Sequence, residues 1–319
     1  MVCSKEKENQ CILNLMLNPL FRIRQILFIS LLSASDFIEL HGQDFRFDRI
    51  TSENVKLEKG LSVNSVNCIM QDNTGFLWFG TWDGLNKYDG YKFTVYKANI
   101  TKKQSGLSNQ TVHSVCQDKE GILWIATEDG LNKFSPSTQS FSYFRRKLGD
   151  KTSLSNDTVL SVFEDSNGNL WVGTQNGLNL MNKQSGTFTH YYSSTNSNAI
   201  SNNTINDIAE DKMGCLWFAT QKGLTRYNPL SKVFTRYFHK SDDAISLSSD
   251  TVLCVFHDKA GFLWAGTEKG LNRLDIEKCI FTSWFKKSGD PSGLSSNRVT
   301  DVFEDSQGVL WVGTSGGGI

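Results

Sequence analysis

Six aspartates that recur at a nearly fixed interval are the acidic residues most suggestive of chemistry in this sequence. They are Asp72, Asp118, Asp165, Asp211, Asp258 and Asp305, and each begins an Asp-x-x-Gly tetrapeptide. Carboxylates of this kind serve as general acids and bases or as metal ligands. Equal placement in every copy of a repeat, however, keeps the six side chains apart, so they cannot converge on one ion. The pattern instead favours turns, in which the Asp side chain accepts a hydrogen bond from the backbone two residues later.

The histidines and cysteines show no catalytic or metal-binding pattern. No two of the five histidines stand at the spacing of metal ligands, and the seven cysteines form no C-x-x-C pair. The chain also has no G-x-S-x-G, no H-E-x-x-H and no phosphate-binding glycine loop. Most cysteines are therefore predicted to be small buried apolar side chains. We predict no catalytic residue, no metal site and no cofactor.

Paired positions that vary while the residues around them repeat are better candidates for a binding site. Each pair lies inside a Thr-x-x-Gly tetrapeptide. The pairs are Trp82/Asp83, Glu128/Asp129, Gln175/Asn176, Gln221/Lys222 and Glu268/Lys269, with Ser315/Gly316 in the sixth copy. Nearly all of these side chains are polar, and a rigid scaffold that presents variable loops is a common way to build a binding site.

Trp82 is the only aromatic residue among these candidates. A sugar ring can stack its C–H face on an aromatic side chain, while Asp, Asn, Gln and Glu form hydrogen bonds with its hydroxyl groups. The pairs are therefore candidate contacts for an oligosaccharide. Two alternatives remain open: the pairs are solvated turn residues without a ligand, or Trp82 packs on a neighbouring loop or on a second domain.

The elements that would position these residues form a sixfold repeat. A tryptophan occurs in each copy, at Trp78, Trp124, Trp171, Trp217, Trp264 and Trp311, with intervals of 46, 47, 46, 47 and 47 residues. A serine stands 16 residues before each tryptophan, so the one-residue variation lies in the connector between copies. A rigid module with a variable connector is typical of repeat architectures.

Within one copy, the pattern predicts four short strands. In the first copy they are Ser65–Asp72, which alternates in polarity, Phe76–Thr81, which is apolar on both faces, Leu85–Asp89 and Lys92–Tyr96. Four strands joined by tight turns in about 47 residues make one propeller blade. The fold class is therefore predicted to be all-β, a propeller with five complete blades and a truncated sixth. The tryptophans are expected to pack between neighbouring blades.

The N-terminal region differs from the repeats. Residues 1–42 contain two arginines, the apolar run Ile26–Leu32 and then small residues, which is the pattern of a secretory signal peptide with a superfluous N-terminal extension. Phe45–Ile50 matches a fourth strand, so it is expected to complete the last blade, and residues 43–319 are assigned to the propeller. The ring is incomplete in this sequence, which predicts an N-terminal fragment of a longer protein.

The repeated phrase G-L-S…D-x-x-G-x-L-W-x-G-T-x-x-G-L-N-[KR]-[YF] resembles the two-component regulator propeller repeat. The resemblance covers roughly residues 43–319, although Thr225 replaces the Asn of the phrase in the fourth copy. It implies the periplasmic sensor region of a hybrid two-component system of Bacteroidetes. In that family two propellers of about seven blades precede a small β-sandwich, a membrane helix, a histidine kinase, a receiver and a DNA-binding domain. Some relatives have another output, such as a diguanylate cyclase.

The residues and the resemblance together predict a non-enzymatic periplasmic sensor domain that binds an oligosaccharide. Its expected partners are a second propeller and a membrane-linked kinase of the same protein, and a homodimer is also compatible. The charge is balanced, with 33 basic and 33 acidic residues, which argues against binding of nucleic acid. The alternatives are an assembly scaffold without a small ligand and a propeller lyase or hydrolase.

Overall fold

A computed structural model describes residues 60–63, 65–98, 106–290 and 293–317 of the chain. The signal peptide predicted in residues 1–42 and the closing strand predicted at Phe45–Ile50 lie outside the described residues. Within those ranges, no helix is long and apolar enough to cross a membrane.

The described residues form 22 strands in six antiparallel sheets. Five sheets have four strands in chain order, and the sixth has two. The strands are β1 Val66–Gln71, β2 Leu77–Thr81, β3 Gly84–Tyr88, β4 Phe93–Tyr96, β5 Val112–Gln117, β6 Leu123–Thr127, β7 Gly130–Ser135, β8 Ser140–Phe144, β9 Val159–Glu164, β10 Leu170–Thr174, β11 Gly177–Asn182, β12 Thr187–Tyr191, β13 Ile205–Glu210, β14 Leu216–Thr220, β15 Gly223–Asn228, β16 Val233–Tyr237, β17 Val252–His257, β18 Leu263–Thr267, β19 Gly270–Asp275, β20 Ile280–Trp284, β21 Val299–Glu304 and β22 Leu310–Thr314.

The order of contacts between sheets defines a β-propeller. The first strand of each sheet contacts the first strands of its neighbours, from β1 through β5, β9, β13 and β17 to β21. First strands therefore lie innermost, and fourth strands lie at the periphery. This arrangement confirms the predicted fold class, with five complete blades and a two-stranded sixth.

The repeated tryptophan lies between blades, as predicted. Trp124 of the second blade packs in one cluster with Leu154, Val172 and Phe188 of the third. Trp217 of the fourth blade makes the equivalent contact with Leu263 of the fifth. Burial of such large aromatic side chains gives the interfaces between blades much of their stability.

Each repeated aspartate forms a turn and also binds its tryptophan. Asp211 Oδ1 accepts hydrogen bonds from the backbone N–H groups of Met213 and Cys215, both at 2.9 Å. Its other oxygen, Oδ2, accepts a hydrogen bond from Trp217 Nε1 at 2.9 Å. The same Trp–Asp bond recurs in all six copies at 2.7–3.0 Å. The turn was predicted from the sequence, whereas the bond to the tryptophan was not.

The cysteines agree only in part with the prediction. Cys68, Cys215 and Cys254 are buried, and Cys116 is half-buried, where burial raises the pKa of its thiol to about 11. Cys279 is exposed, because it occupies the turn between β19 and β20 with a φ of 56°. No disulfide joins any two of the five described cysteines.

Candidate functional site

The variable pairs lie in the turns between the second and third strands of the blades. These turns share one side of the propeller with the connectors between blades. The backbone N–H of Gly84 bonds the carbonyl of Gln110 at 2.8 Å, and Gly177 bonds Asn203 at 2.7 Å. Each bond joins a turn to the segment that begins the next blade. We call this side, which comprises the five complete turns and the connectors, the turn-rich face.

A buried polar network in every complete blade fixes the position of its turn. In the third blade, Thr174 Oγ1 donates to the carbonyl of Gly177 at 2.8 Å and accepts from the N–H of Asn176 at 3.1 Å. Thr174 and Ser155 hydroxyls are 3.1 Å apart, and Asn179 Oδ1 accepts the N–H of Ser155 at 3.0 Å. The repeated Ser, Thr and Asn of the phrase therefore hold the connector, the turn and the third strand together.

The connector that leaves the fourth strand approaches each turn so closely that only glycine fits at the last position of the Thr-x-x-Gly turn. Gly130 has a φ of 101°, and a β-carbon there would lie 2.5 Å from the carbonyl oxygen of Phe144. A side chain at this position would therefore displace the backbone that leaves the fourth strand.

Trp82 is presented to solvent in a fixed orientation. Its side chain is 65% exposed, and its Nε1 donates a 2.6 Å hydrogen bond to Asn67 Oδ1. Asn67 in turn donates from Nδ2 to the carbonyl of Val112 in the second blade, at 2.9 Å. The polar edge of the indole is thus satisfied by the protein, which leaves much of the ring open as an apolar surface for a ligand.

Glu128 occupies the position of Trp82 in the next blade and lies near a histidine. His113 Nε2 is 3.9 Å from Glu128 Oε1 and is buried without a hydrogen-bond partner among the described residues. Burial lowers the pKa of His113 below its ordinary value, and the charge of Glu128 acts in the opposite direction. The lowered pKa favours the uncharged imidazole at neutral pH.

We expect the pKa of His113 to fall further in Glu128→Gln, because the substitution removes the one charge that favours the imidazolium. Titration of the imidazole resonances by NMR measures this directly, with Glu268→Gln in the fifth blade as the control. An unchanged His113 titration in Glu128→Gln would contradict the assigned interaction.

The remaining candidates differ in their partners. Asp83 pairs with Lys97 at 2.6 Å, and Asp129 pairs with Arg145 at 2.7 Å. Further polar contacts of the pairs include Asn176 with Asn203 at 3.2 Å, the Gln175 carbonyl with Thr204 at 3.1 Å, Gln221 with Asn206 at 3.3 Å, and Glu268 with Arg298 at 3.5 Å. Lys222 and Lys269 are exposed. The structure thus places all ten candidates on one face, but in five successive blades rather than in one cluster.

An acidic cluster on the opposite face already surrounds a lysine ammonium. Carboxylate oxygens of Asp118, Glu120 and Glu164 lie within 4.8 Å of one another. Lys183 Nζ lies 3.3 Å from Asp118 and 3.1 Å from Glu120, and it also bonds Glu164. Although partial burial acts the other way, the hydrogen bonds to Glu164 and Glu120 raise the pKa of Lys183. The ammonium therefore occupies the centre that a cation would need.

A cleft between the fifth and sixth sheets does not include the predicted site. It has a volume of about 700 Å³, and its apolar lining includes Trp264, Leu310 and Val312. In the complete third blade, the third strand covers the equivalent residues of β10, with Leu170 opposite Met181. The cleft therefore corresponds to the place of a third strand, and Trp82 instead stands on open surface.

Comparison with known families agrees with the repeat phrase. The model of the two component regulator propeller matches at residues 60–83, 106–129, 153–176, 199–222, 246–269 and 293–316. Each match runs from the residues that precede the first strand to the variable pair of the turn. The protein is thus a β-propeller, and its blades are two-component regulator propeller repeats, as the sequence predicted.

Two similar proteins, one of them of known structure, are longer than this chain. The extracellular domain of a hybrid two-component system from B. thetaiotaomicron is 29% identical with a TM-score of 0.64, over 81% of this chain and 40% of that chain. "Histidine kinase P4" of Formosa agariphila is 58% identical over 40 residues, which are 12% of this chain and 3% of that protein. The chain thus spans less than half the length of either relative.

Virginiamycin B lyase from Staphylococcus aureus shares the fold, with a TM-score of 0.57 over 80% of this chain and 79% of the lyase. Its sequence identity is 13%, so the similarity extends to the propeller architecture alone. The four described histidines lie in four different blades: His113, His190 and His257 are within strands, and His239 is two residues after one. With one described histidine in each of these four blades, no two of them form an acid–base pair.

Proposed function

We propose that this propeller is the extracytoplasmic sensor region of a two-component signalling protein and binds an oligosaccharide on its turn-rich face. The proposal includes export to the periplasm, no enzymatic activity in the propeller, and control of transcription through a histidine kinase. The similarity to the extracellular domain of a hybrid two-component system supports the sensor role. The repeat family supports it as well.

The observation that carries the ligand assignment is the presentation of Trp82. An exposed indole whose N–H is already bonded to Asn67 offers an apolar ring face without a free polar edge. The Glu128 carboxylate, at the equivalent position of the next blade, is 53% exposed and can accept hydrogen bonds from hydroxyl groups. An apolar ring and such acceptors on one face of the propeller suit a sugar, which has an apolar C–H face and a hydroxylated rim.

Signalling requires that the ligand bind one state of the receptor better than another. The backbone bond from the turn glycine to the segment that begins the next blade, such as Gly177 to Asn203, couples a turn to the neighbouring blade. A ligand that contacts several turns would therefore favour one arrangement of neighbouring blades or of the partner domains. A second propeller, a homodimer and a membrane-linked kinase are the partners that would transmit this preference.

Titration of the purified protein with neutral and acidic oligosaccharides tests the proposal. We expect saturable binding of one class, and Trp82→Ala to weaken it by about tenfold or more, since a lost aromatic contact costs about 1–2 kcal/mol. Tyr91→Ala removes an aromatic side chain that is 83% exposed in the turn between β3 and β4, on the opposite face, and is the matched control.

Trp82→Phe separates the ring from its hydrogen bond, because phenylalanine keeps an aromatic face but cannot bond Asn67. We expect it to retain most of the affinity. Binding of no oligosaccharide, together with a stable complex between the turn-rich face and another protein, would favour the scaffold function. Turnover of an oligosaccharide would favour a lyase or hydrolase.

A further inference from the structure

Two positions on the turn-rich face change together from blade to blade. One position is the second residue of the variable pair. The other is the residue that directly follows the fourth strand. The combinations are Asp83 with Lys97, Asp129 with Arg145, Asn176 with Tyr192, Lys222 with Phe238 and Lys269 with Phe285. In each blade the later side chain lies against the turn glycine that follows the pair. The two positions are therefore neighbours in space, although 14–16 residues separate them in sequence.

In the first two blades, the two positions neutralise each other. Lys97 Nζ is 2.6 Å from Asp83 Oδ2. Arg145 forms a bidentate pair with Asp129, with Nη2 at 2.7 Å and Nε at 3.0 Å from the two carboxylate oxygens. Both aspartates are only partly exposed, so these turns leave little free charge for a ligand.

In the fourth and fifth blades, a lysine takes the place of the aspartate, and an aromatic ring takes the place of the Lys or Arg side chain. A β-carbon on Gly223 would lie 2.8 Å from the Phe238 ring, and one on Gly270 would lie 3.1 Å from the Phe285 ring. The rings thus fill the place of the Lys97 and Arg145 stems but supply no counter-charge. Lys222 and Lys269 are exposed, and neither ammonium forms an ion pair with the described part of the chain.

Two acidic residues beside these turns have other partners. Glu268, which precedes Lys269, pairs with Arg298 at 3.5 Å. Asp250, whose backbone carbonyl bonds Gly223 next to Lys222, accepts the backbone N–H of His239 at 2.7 Å with its side chain. The fourth and fifth blades therefore combine two unpaired cations with partly exposed rings. The first two blades instead carry the indole of Trp82 and the carboxylate of Glu128.

We infer that the fourth and fifth blades recognise the anionic groups of an acidic oligosaccharide, with Lys222 and Lys269 as the cationic contacts. The inference rests on the proposed function and adds a charge requirement to it. Carboxylate groups of uronic acids and sulfate esters are the two sources of such charge on a sugar. Phe238, which is partly exposed beside Lys222, would contact a C–H face of the same chain. Cations beside apolar rings suit a chain that has both anionic groups and apolar faces.

Matched oligosaccharides test this inference by calorimetric titration of the protein. One pair is an oligogalacturonide and its methyl ester, and the other is a sulfated galactan oligosaccharide and its desulfated form. We expect one acidic member to bind at least tenfold more tightly than its neutral counterpart, and its affinity to fall with rising salt. The pair that shows the difference identifies carboxylate or sulfate as the group recognised.

The double variant Lys222→Gln/Lys269→Gln is expected to abolish most of that preference, with about a tenfold loss of affinity for each lost charged contact. Lys232→Gln/Lys278→Gln is the control, because both lysines lie in turns on the opposite face and the net charge changes equally. Gln at position 232 is compatible with the backbone, since Gln139 occupies the equivalent turn with a φ of 54°.

The outcomes separate this inference from the proposed function. Binding of a neutral member as tightly as its acidic counterpart, with no effect of the Lys222/Lys269 variant but a loss in Trp82→Ala, would overturn the charge requirement and leave the sensor function standing. Binding of no oligosaccharide in either pair would overturn both. A loss in the control variant equal to that in the Lys222/Lys269 variant would show nonspecific attraction and also overturn the assignment.

Discussion

Asp211→Ala is expected to lower the free energy of unfolding by about 3–5 kcal/mol, because three donors, two of them in buried hydrogen bonds, lose one charged acceptor. Two of these donors are the backbone N–H groups of Met213 and Cys215, and the third is Trp217 Nε1. Trp217 is fully buried between the fourth and fifth blades, so water cannot replace the carboxylate. Arg226, whose guanidinium lies 3.7 Å from Asp211, would also lose its counter-charge.

Urea unfolding followed by tryptophan fluorescence measures this effect. Asp211→Asn retains an acceptor for the turn but cannot serve both the turn and the indole, so an intermediate loss is expected. Asp242→Ala, in the exposed connector after the fourth blade, is the control and should leave the midpoint nearly unchanged. Equal midpoints for Asp211→Ala and the control would show that the Trp–Asp bond contributes nothing to stability.

Asn179→Leu is expected to have the next largest effect, a loss of about 2–4 kcal/mol, because it leaves buried polar groups without partners. Asn179 is fully buried. Its Oδ1 accepts the N–H of Ser155 at 3.0 Å, and its Nδ2 donates to the carbonyl of Val172 at 3.1 Å. Leucine is similar in size but can make neither bond. The turn at Gln175 and Asn176 should therefore lose its fixed position as well.

The fourth blade supplies a control for this substitution. Thr225 stands where the other complete blades have Asn, and its Oγ1 accepts the N–H of Ser201 at 3.0 Å and donates to the Ser201 hydroxyl at 2.8 Å. Asn179→Thr should therefore cost much less than Asn179→Leu in urea unfolding. A loss as large for threonine as for leucine would indicate that side-chain volume, and not hydrogen bonding, determines the effect.

The strands were predictable to within a few residues because turn residues limit them on both sides. The predicted second strand, Phe76–Thr81, is observed at Leu77–Thr81 between the Asp72 turn and the Thr-x-x-Gly turn. All five residues of β2 are buried, as its unbroken apolar run indicated. Local turn chemistry and polarity are properties of neighbouring residues, so they can be read directly from the sequence.

Contacts between distant residues were not predictable in the same way. The phrase shows that Ser, Thr and Asn recur, but not that Ser155 meets Asn179 across 24 residues. Likewise, the pairing of Asp129 with Arg145 depends on where the fourth strand ends above the turn. The joint change of these two positions among the blades was present in the sequence. It became meaningful only when the structure brought them together at the turn glycine.

Hydrogen–deuterium exchange of the protein with and without a bound oligosaccharide tests the central claim most directly. The account predicts slower exchange in the turns and connectors of the turn-rich face, including the backbone around Trp82 and around Lys222 and Lys269. The Asp-x-x-Gly turns of the opposite face should exchange at unchanged rates. Protection confined to the opposite face, or to the cleft beside β22, would contradict the assignment of the binding site to the turn-rich face.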